Sequence, residues 1–159
     1  TLTSVGVQVE VAGFTDRGDN QLVHHIHCAF GERFNRSAVL DSMHKLAAQM
    51  ASNADAENVL IAYDRLVQVD APKRILIVLS DGDPSGYGQY DQRKGLQSVT
   101  AFVEKDGKRT GTELWGVGIG GNDSIGMYYN NNVYVSDDNK MGNALLTLIK
   151  QAVTLKKQR

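Results

Sequence analysis

The chain has 159 residues, 42% of them apolar, which is enough for one core and close to the ~150 residues of an average domain. With 17 basic and 18 acidic side chains the net charge is −1, so the cationic excess of a phosphate-neutralising protein is missing and nucleic acid is not expected as a partner. The single cysteine, Cys28, cannot close an internal disulfide and points to a reducing, cytoplasmic setting; no apolar run approaches the ~18 residues of a membrane span, and no signal-peptide core is expected.

Residues 5–14 alternate, with Val5, Val7, Val9 and Val11 on one face and Gly6, Gln8, Glu10 and Ala12 on the other, which predicts a strand with unequal faces. The next six residues, 15–20, are dense in turn formers. A second alternating segment, 22–30, is expected to pair with the first as an antiparallel hairpin. Helical spacing of Val39, Leu40, Met43, Leu46, Ala47 and Met50 predicts a helix over 37–50, with Ser37 as its N-cap. A second helix carries Val59, Leu60, Tyr63, Leu66 and Val67, with Asn53 or Asp55 as its cap and an end before Pro72.

Residues 74–80 hold the run Ile75-Leu76-Ile77-Val78-Leu79, apolar on both faces, which predicts a central strand of a parallel sheet. The remainder continues the alternation with a helix over 92–105, a strand over 113–119, a short strand over 133–135 and a closing helix over 141–156, capped by Asp137-Asp138-Asn139. The whole chain, 1–159, therefore reads as one α/β domain of three layers, doubly wound around a mostly parallel sheet.

In such sheets ligands gather at the carboxyl ends of the strands. There stands Ser80-Asp81-Gly82-Asp83-Pro84-Ser85-Gly86, with two carboxylates followed by glycines and a proline that turn the chain. A buried carboxylate at Asp81 needs a cation, a helix N-terminus or several donors. Asn53 and Asp55, at the start of the preceding helix, are expected on the same edge. Donors that are all oxygen suit a hard cation, Mg²⁺ before Ca²⁺.

Four blocks in order, Val5 to Thr15, Asn53-Ala54-Asp55-Ala56-Glu57, Arg74 to Pro84 and Leu114-Trp115-Gly116-Val117-Gly118-Ile119-Gly120, together resemble a von Willebrand factor A (VWA) domain. More narrowly they resemble the VWA domain at the C-terminus of the aerobic cobaltochelatase subunit of cobalamin biosynthesis; Tyr128-Tyr129, Val133-Tyr134-Val135 and the final helix extend the likeness. The resemblance implies a metal-ion-dependent adhesion site in which Asp81 is a ligand and the usual threonine position falls near Asn53, with Asp55 two residues on. The family's Asp-x-Ser-x-Ser motif is absent from these residues. It also implies strand order 3-2-1-4-5-6, with the motif-bearing first strand between residues 5–12 and 74–80. We therefore expect that strand to be missing from this chain, removed or supplied by another segment, because an open slot would leave two rows of backbone groups unpaired. Partners implied by the resemblance are an AAA+ ATPase subunit and a large catalytic chelatase subunit, with Asp83, Ser85, Gly118 and Gly120 behind the cation or at the docking surface. The alternatives are a stand-alone adhesion domain on the same fold, or a VWA partner of an AAA+ ATPase in another remodelling task.

Gly116 to Gly121 fits the dinucleotide fingerprint G-x-G-x-x-G, but no helix is expected after it, so the glycines read instead as sites of close backbone approach beside the Asp81 loop. His24-His25-Ile26-His27-Cys28 divides between two strand faces, so no face offers three clustered zinc ligands and the segment reads as a polar outer strand. Arg17-Gly18-Asp19 reads as a hairpin turn and Lys156-Lys157-Gln158-Arg159 as a solvated tail. Ser80 and Ser85 lack a positioned histidine, so no independent hydrolase is expected.

Overall fold

Three strands, β3 (Arg74–Ser80), β4 (Thr112–Ile119) and β5 (Asn132–Val135), form a parallel sheet in that order, in a computed structural model that describes residues 6–16, 21–82, 84, 92–120 and 123–154. Helices α2 (Asp55–Val67) and α3 (Gln92–Thr110) cover one face, where Ala56, Val59, Tyr63, Leu96 and Val103 pack on Val78, Leu114, Tyr128 and Tyr129. Helix α4 (Met141–Thr154) covers the other. Its stripe Met141, Ala144, Leu145, Leu148 and Ile149 meets Ile75, Ile77, Trp115, Val117 and Val135. Successive residues of β4 thus serve opposite layers, as the strand pleat requires. The result is the three-layer α/β sandwich expected from the sequence.

The run 74–80 forms the strand predicted, but not its central place. Among the described residues β3 is an edge of its sheet and β4 the middle, and Leu79 is 41% exposed. The apolar run reports that both faces are covered, Leu76 and Val78 by the α2/α3 layer and Ile75 and Ile77 by the α4 layer. Hydrophobicity carries no information about whether a strand's hydrogen-bonding edges are paired.

Strands β1 (Val11–Asp16) and β2 (Leu22–Cys28) make a separate antiparallel sheet, so the predicted hairpin exists, shifted toward the C-terminus. Residues 6–10 lie outside the ladder because β2 ends at Cys28, opposite Val11. Asp16, expected in the turn, is instead the last residue of β1. The register slips between Val11 and Ala12, whose partners are Cys28 and Ile26, leaving His27 as the extra residue of a β-bulge. The two sheets share no ladder among the described residues.

Helix α1 (Arg36–Ala47) packs on the hairpin and is capped by Asn35, whose Oδ1 accepts from Ala38 N at 3.2 Å; Ser37 lies inside the helix and is not the cap. Helix α2 is preceded by Ala54 with no side-chain cap, and Asp55 is its first helical residue; neither Asn53 nor Asp55 is the cap. Asp55 and Glu57 in the first turn favour the positive end of the helix dipole instead. Helix α3 runs five residues beyond the predicted end, its last turn held by Asp106, which accepts from Tyr63 Oη at 2.7 Å and from Arg109 Nε at 2.9 Å. Before α4, Asp137 Oδ1 accepts from Asn139 N at 3.0 Å and caps the 3₁₀ turn Asp138–Lys140. None of the described helices is long and apolar enough to cross a membrane. The Arg17-Gly18-Asp19 turn and the basic tail lie outside the described residues.

Two glycine-to-alanine changes separate the constraints on α3 and α4. A Cβ at Gly107 would stand 2.4 Å from the Thr112 backbone carbonyl oxygen, whereas one at Gly142 meets nothing within 4 Å. Denaturant unfolding is expected to show Gly107→Ala destabilised by about 1–3 kcal/mol and Gly142→Ala stabilised by up to about 1 kcal/mol.

Candidate functional site

The carboxyl edge of the parallel sheet is built from the ends of β3 and β4. Ser80 lies opposite Gly118 in the ladder, and Asp81 follows as an exposed residue at the strand's end. The chain then turns at Gly82, which has φ of +85°, a conformation that favours glycine. Its N–H donates to Ser80 Oγ at 3.1 Å, and its carbonyl accepts from the Ser124 hydroxyl, so the β3 turn is tied to the segment after β4.

That crosslink depends on β4 keeping glycine on the α2/α3 side. A Cβ at Gly116 would fall 2.5 Å from the Tyr129 ring, and one at Gly118 would be 3.1 Å from both Ile125 and Tyr134. The side chains of Ile125, Tyr129 and Tyr134 therefore fill the space that Cβ atoms on β4 would take, where the sequence led us to expect an approach of backbone. Gly120 has φ of +89° and its carbonyl accepts from Tyr134 Oη. Among the described residues the next element is the 3₁₀ turn Ile125–Met127.

On the helical side of the edge, the start of α2 is fixed from two directions. Asn58 Nδ2 donates to Ala54 O at 2.9 Å while Asn58 Oδ1 meets His24 Nδ1 at 2.8 Å, linking the helix to β2. Asp16, 2% exposed, accepts from Ser52 N at 3.3 Å and from the Ser52 hydroxyl, and its own N–H donates to Ser52 O at 2.8 Å. Thr15 adds two contacts, donating from Oγ1 to Ser52 O and accepting from Ala51 N, both at 3.0 Å. Sequence reasoning missed Asp16, Ser52 and Ser124. The only signal for Asp16 was a polar pair closing an alternating segment, which is equally the signature of a turn.

Asp55 is 1% exposed on the first turn of α2. Its charge, together with the larger effect of burial, pushes the Tyr129 hydroxyl far above the ordinary tyrosine range. Tyr129 in turn covers Gly116, the ladder partner of Val78, so Asp55 lies on the α2/α3 face beside the sheet. Asn53 is half-buried in the loop before it. Of the candidate residues, Asp81, Gly118 and Gly120 thus belong to the strand ends, while Asn53 and Asp55 belong to the helix start. Asp83 and Ser85 lie outside the described residues. Among the described residues no three of histidine, cysteine, aspartate and glutamate gather to hold a metal ion. A groove of about 480 Å³ between β5 and α4, lined by Val133, Lys140, Ala144 and Thr147, includes none of the candidate residues.

Parallel strands with glycine-backed loops at one edge, enclosed by helices on both faces, agree with a family match covering residues 32–154, described as the cobalamin biosynthesis protein CobT VWA domain. The chain belongs to this family. The CobT VWA match begins after β2 and takes in every described helix and the parallel sheet of the described residues.

The Tyr129 hydroxyl is buried without a hydrogen-bond partner among the described residues, so it contributes little that a phenylalanine would not. Because its pKa is raised on folding, the native state retains a proton that the unfolded chain releases above about pH 10, and stability falls as pH rises through that range. Tyr129→Phe is expected to equal or slightly exceed the parent's stability at pH 7 and to flatten this alkaline decline, measured by urea unfolding between pH 8 and 11.

Proposed function

We propose that this VWA domain is the docking module of a cobaltochelatase-type subunit in the cytoplasm, using a divalent cation, Mg²⁺ by preference, to engage an AAA+ ATPase subunit. The ATPase and a large catalytic chelatase subunit carry out metal insertion into a corrin, and this domain supplies attachment. The observation that carries this reading is Asp81, which stands exposed at the carboxyl end of β3 in a chain whose family is the CobT VWA domain.

Asp81 would ligate the cation together with Asn53 or Asp55. The donor set fits a hard ion in kind, two carboxylates and an amide oxygen, and Mg²⁺ needs few protein ligands because it retains water. Water and a carboxylate of the partner would complete the ion's shell. The Asp16–Ser52 contacts hold the loop carrying Asn53, and the Ser124–Gly82 contact holds the loop carrying Asp81.

Pull-down of the AAA+ subunit tests this mechanism in three arms, with Mg²⁺, with chelator, and with Asp81→Ala in Mg²⁺. Capture is expected to fall at least about tenfold in the second and third arms, no less than the loss of an outer-shell metal partner costs. Equal capture in all three would contradict cation-dependent docking.

A further inference from the structure

Two metal-ligating side chains converge on the face of β2 that α1 covers. His25 Nε2 and His27 Nδ1 each lie 2.9 Å from Ser42 Oγ on α1, so both imidazoles aim a nitrogen at one point. Their rings are 4.8 Å apart and tilted by 52°, a disposition of neighbours facing a common centre rather than of a flat stack. We propose that His25 and His27 form a two-imidazole site for a divalent transition-metal ion of the Cu²⁺, Ni²⁺ or Zn²⁺ type.

Three features build the site. His27 is the extra residue of the β-bulge, and bulges re-aim the side chains they carry. Gly13 pairs with His25, and a Cβ there would come within 2.7 Å of His27 Nε2, so the missing side chain is what admits the His27 ring. Ser42, on the face of α1 that carries buried Val39 and Leu46, supplies the oxygen on which the two rings are prealigned. A strand places residues i and i+2 on one face, which brings the two imidazoles within reach of a single ion.

The chemistry selects the ion class. Neutral imidazole is a ligand for Cu²⁺, Ni²⁺ and Zn²⁺ and a poor one for Mg²⁺ or Ca²⁺, which separates this site from the oxygen donors at the carboxyl edge. His25 is exposed, so the ion enters from solvent and water completes its shell. With two protein ligands instead of three or four, the ion is held reversibly, as a loadable site and not as a folding staple.

Titration of the untagged 159-residue chain with Cu²⁺, followed by electron paramagnetic resonance, tests the proposal. One equivalent is expected to bind with hyperfine structure from two nitrogens, and Zn²⁺, but not Mg²⁺, is expected to displace it. His25→Ala and His27→Gln should each weaken binding at least about tenfold and remove the two-nitrogen signal. His44→Ala, on the exposed side of α1, should change neither. Circular dichroism confirms folding, and exposed His25 gives the deciding variant if His27→Gln unfolds. Absence of stoichiometric binding, or unchanged affinity in His25→Ala, would overturn the site.

Discussion

The packing of the segment after β4 directly onto the glycines of β4 is the contact on which the carboxyl edge depends. Gly116 admits the Tyr129 ring and Gly118 admits Ile125 and Tyr134, while Trp115, Val117 and Ile119 fill the opposite layer. One strand therefore admits neighbouring side chains against its bare backbone on one face and packs its own side chains on the other. The approach brings Ser124 to the Gly82 carbonyl and so holds the turn that displays Asp81. A side chain at position 116 would push against a buried aromatic ring, and overpacking of that kind costs about 1–3 kcal/mol. Its larger consequence would be displacement of the loops that form the edge.

A second set of contacts, independent of the first, fixes the other half of the site. Thr15 and Asp16 at the end of β1 bind residues 51–52, and His24 on β2 binds Asn58, which binds Ala54. The hairpin thus acts as a bracket for the start of α2, and Asn53 and Asp55 lie between its two attachment points. Hydrogen bonds to a charged group such as Asp16 contribute about 1.5–3 kcal/mol each, more than neutral ones. These residues hold the candidate ligands without being candidates themselves.

Much of the fold was legible because it is written in local periodicity. The run at 74–80, the helical spacing from Val59 to Val67 and the stripe from Met141 to Ile149 each define an element from the side chains it buries. What could not be read is what depends on a partner. The alternation of residues 5–11 is as regular as any in the chain, yet a ladder forms only where β2 lies opposite, so the strand begins at Val11. Residues 74–80 stand at an edge among the described residues although both their faces are covered, since covered faces and paired edges are separate properties. In the site, Asp81 announced itself by following an apolar strand and preceding a glycine turn. Asp16 and Ser124 did not, because their roles arise from contacts with residues 36 and 42 positions away. The histidine segment shows both sides of this. Its division between faces was evident from the sequence, whereas the bulge at His27 and the approach of Ser42 exist only in three dimensions.

The central claim is that Asp81 and the start of α2 form one cation-dependent surface. Paramagnetic broadening of amide resonances by substoichiometric Mn²⁺, a spectroscopic substitute for Mg²⁺, measures where the ion resides. The account predicts broadening centred on Gly82 and on residues 53–55, reversed by excess Mg²⁺ and absent in Asp81→Ala. Broadening confined to other parts of the chain, or unchanged by Asp81→Ala, would contradict it.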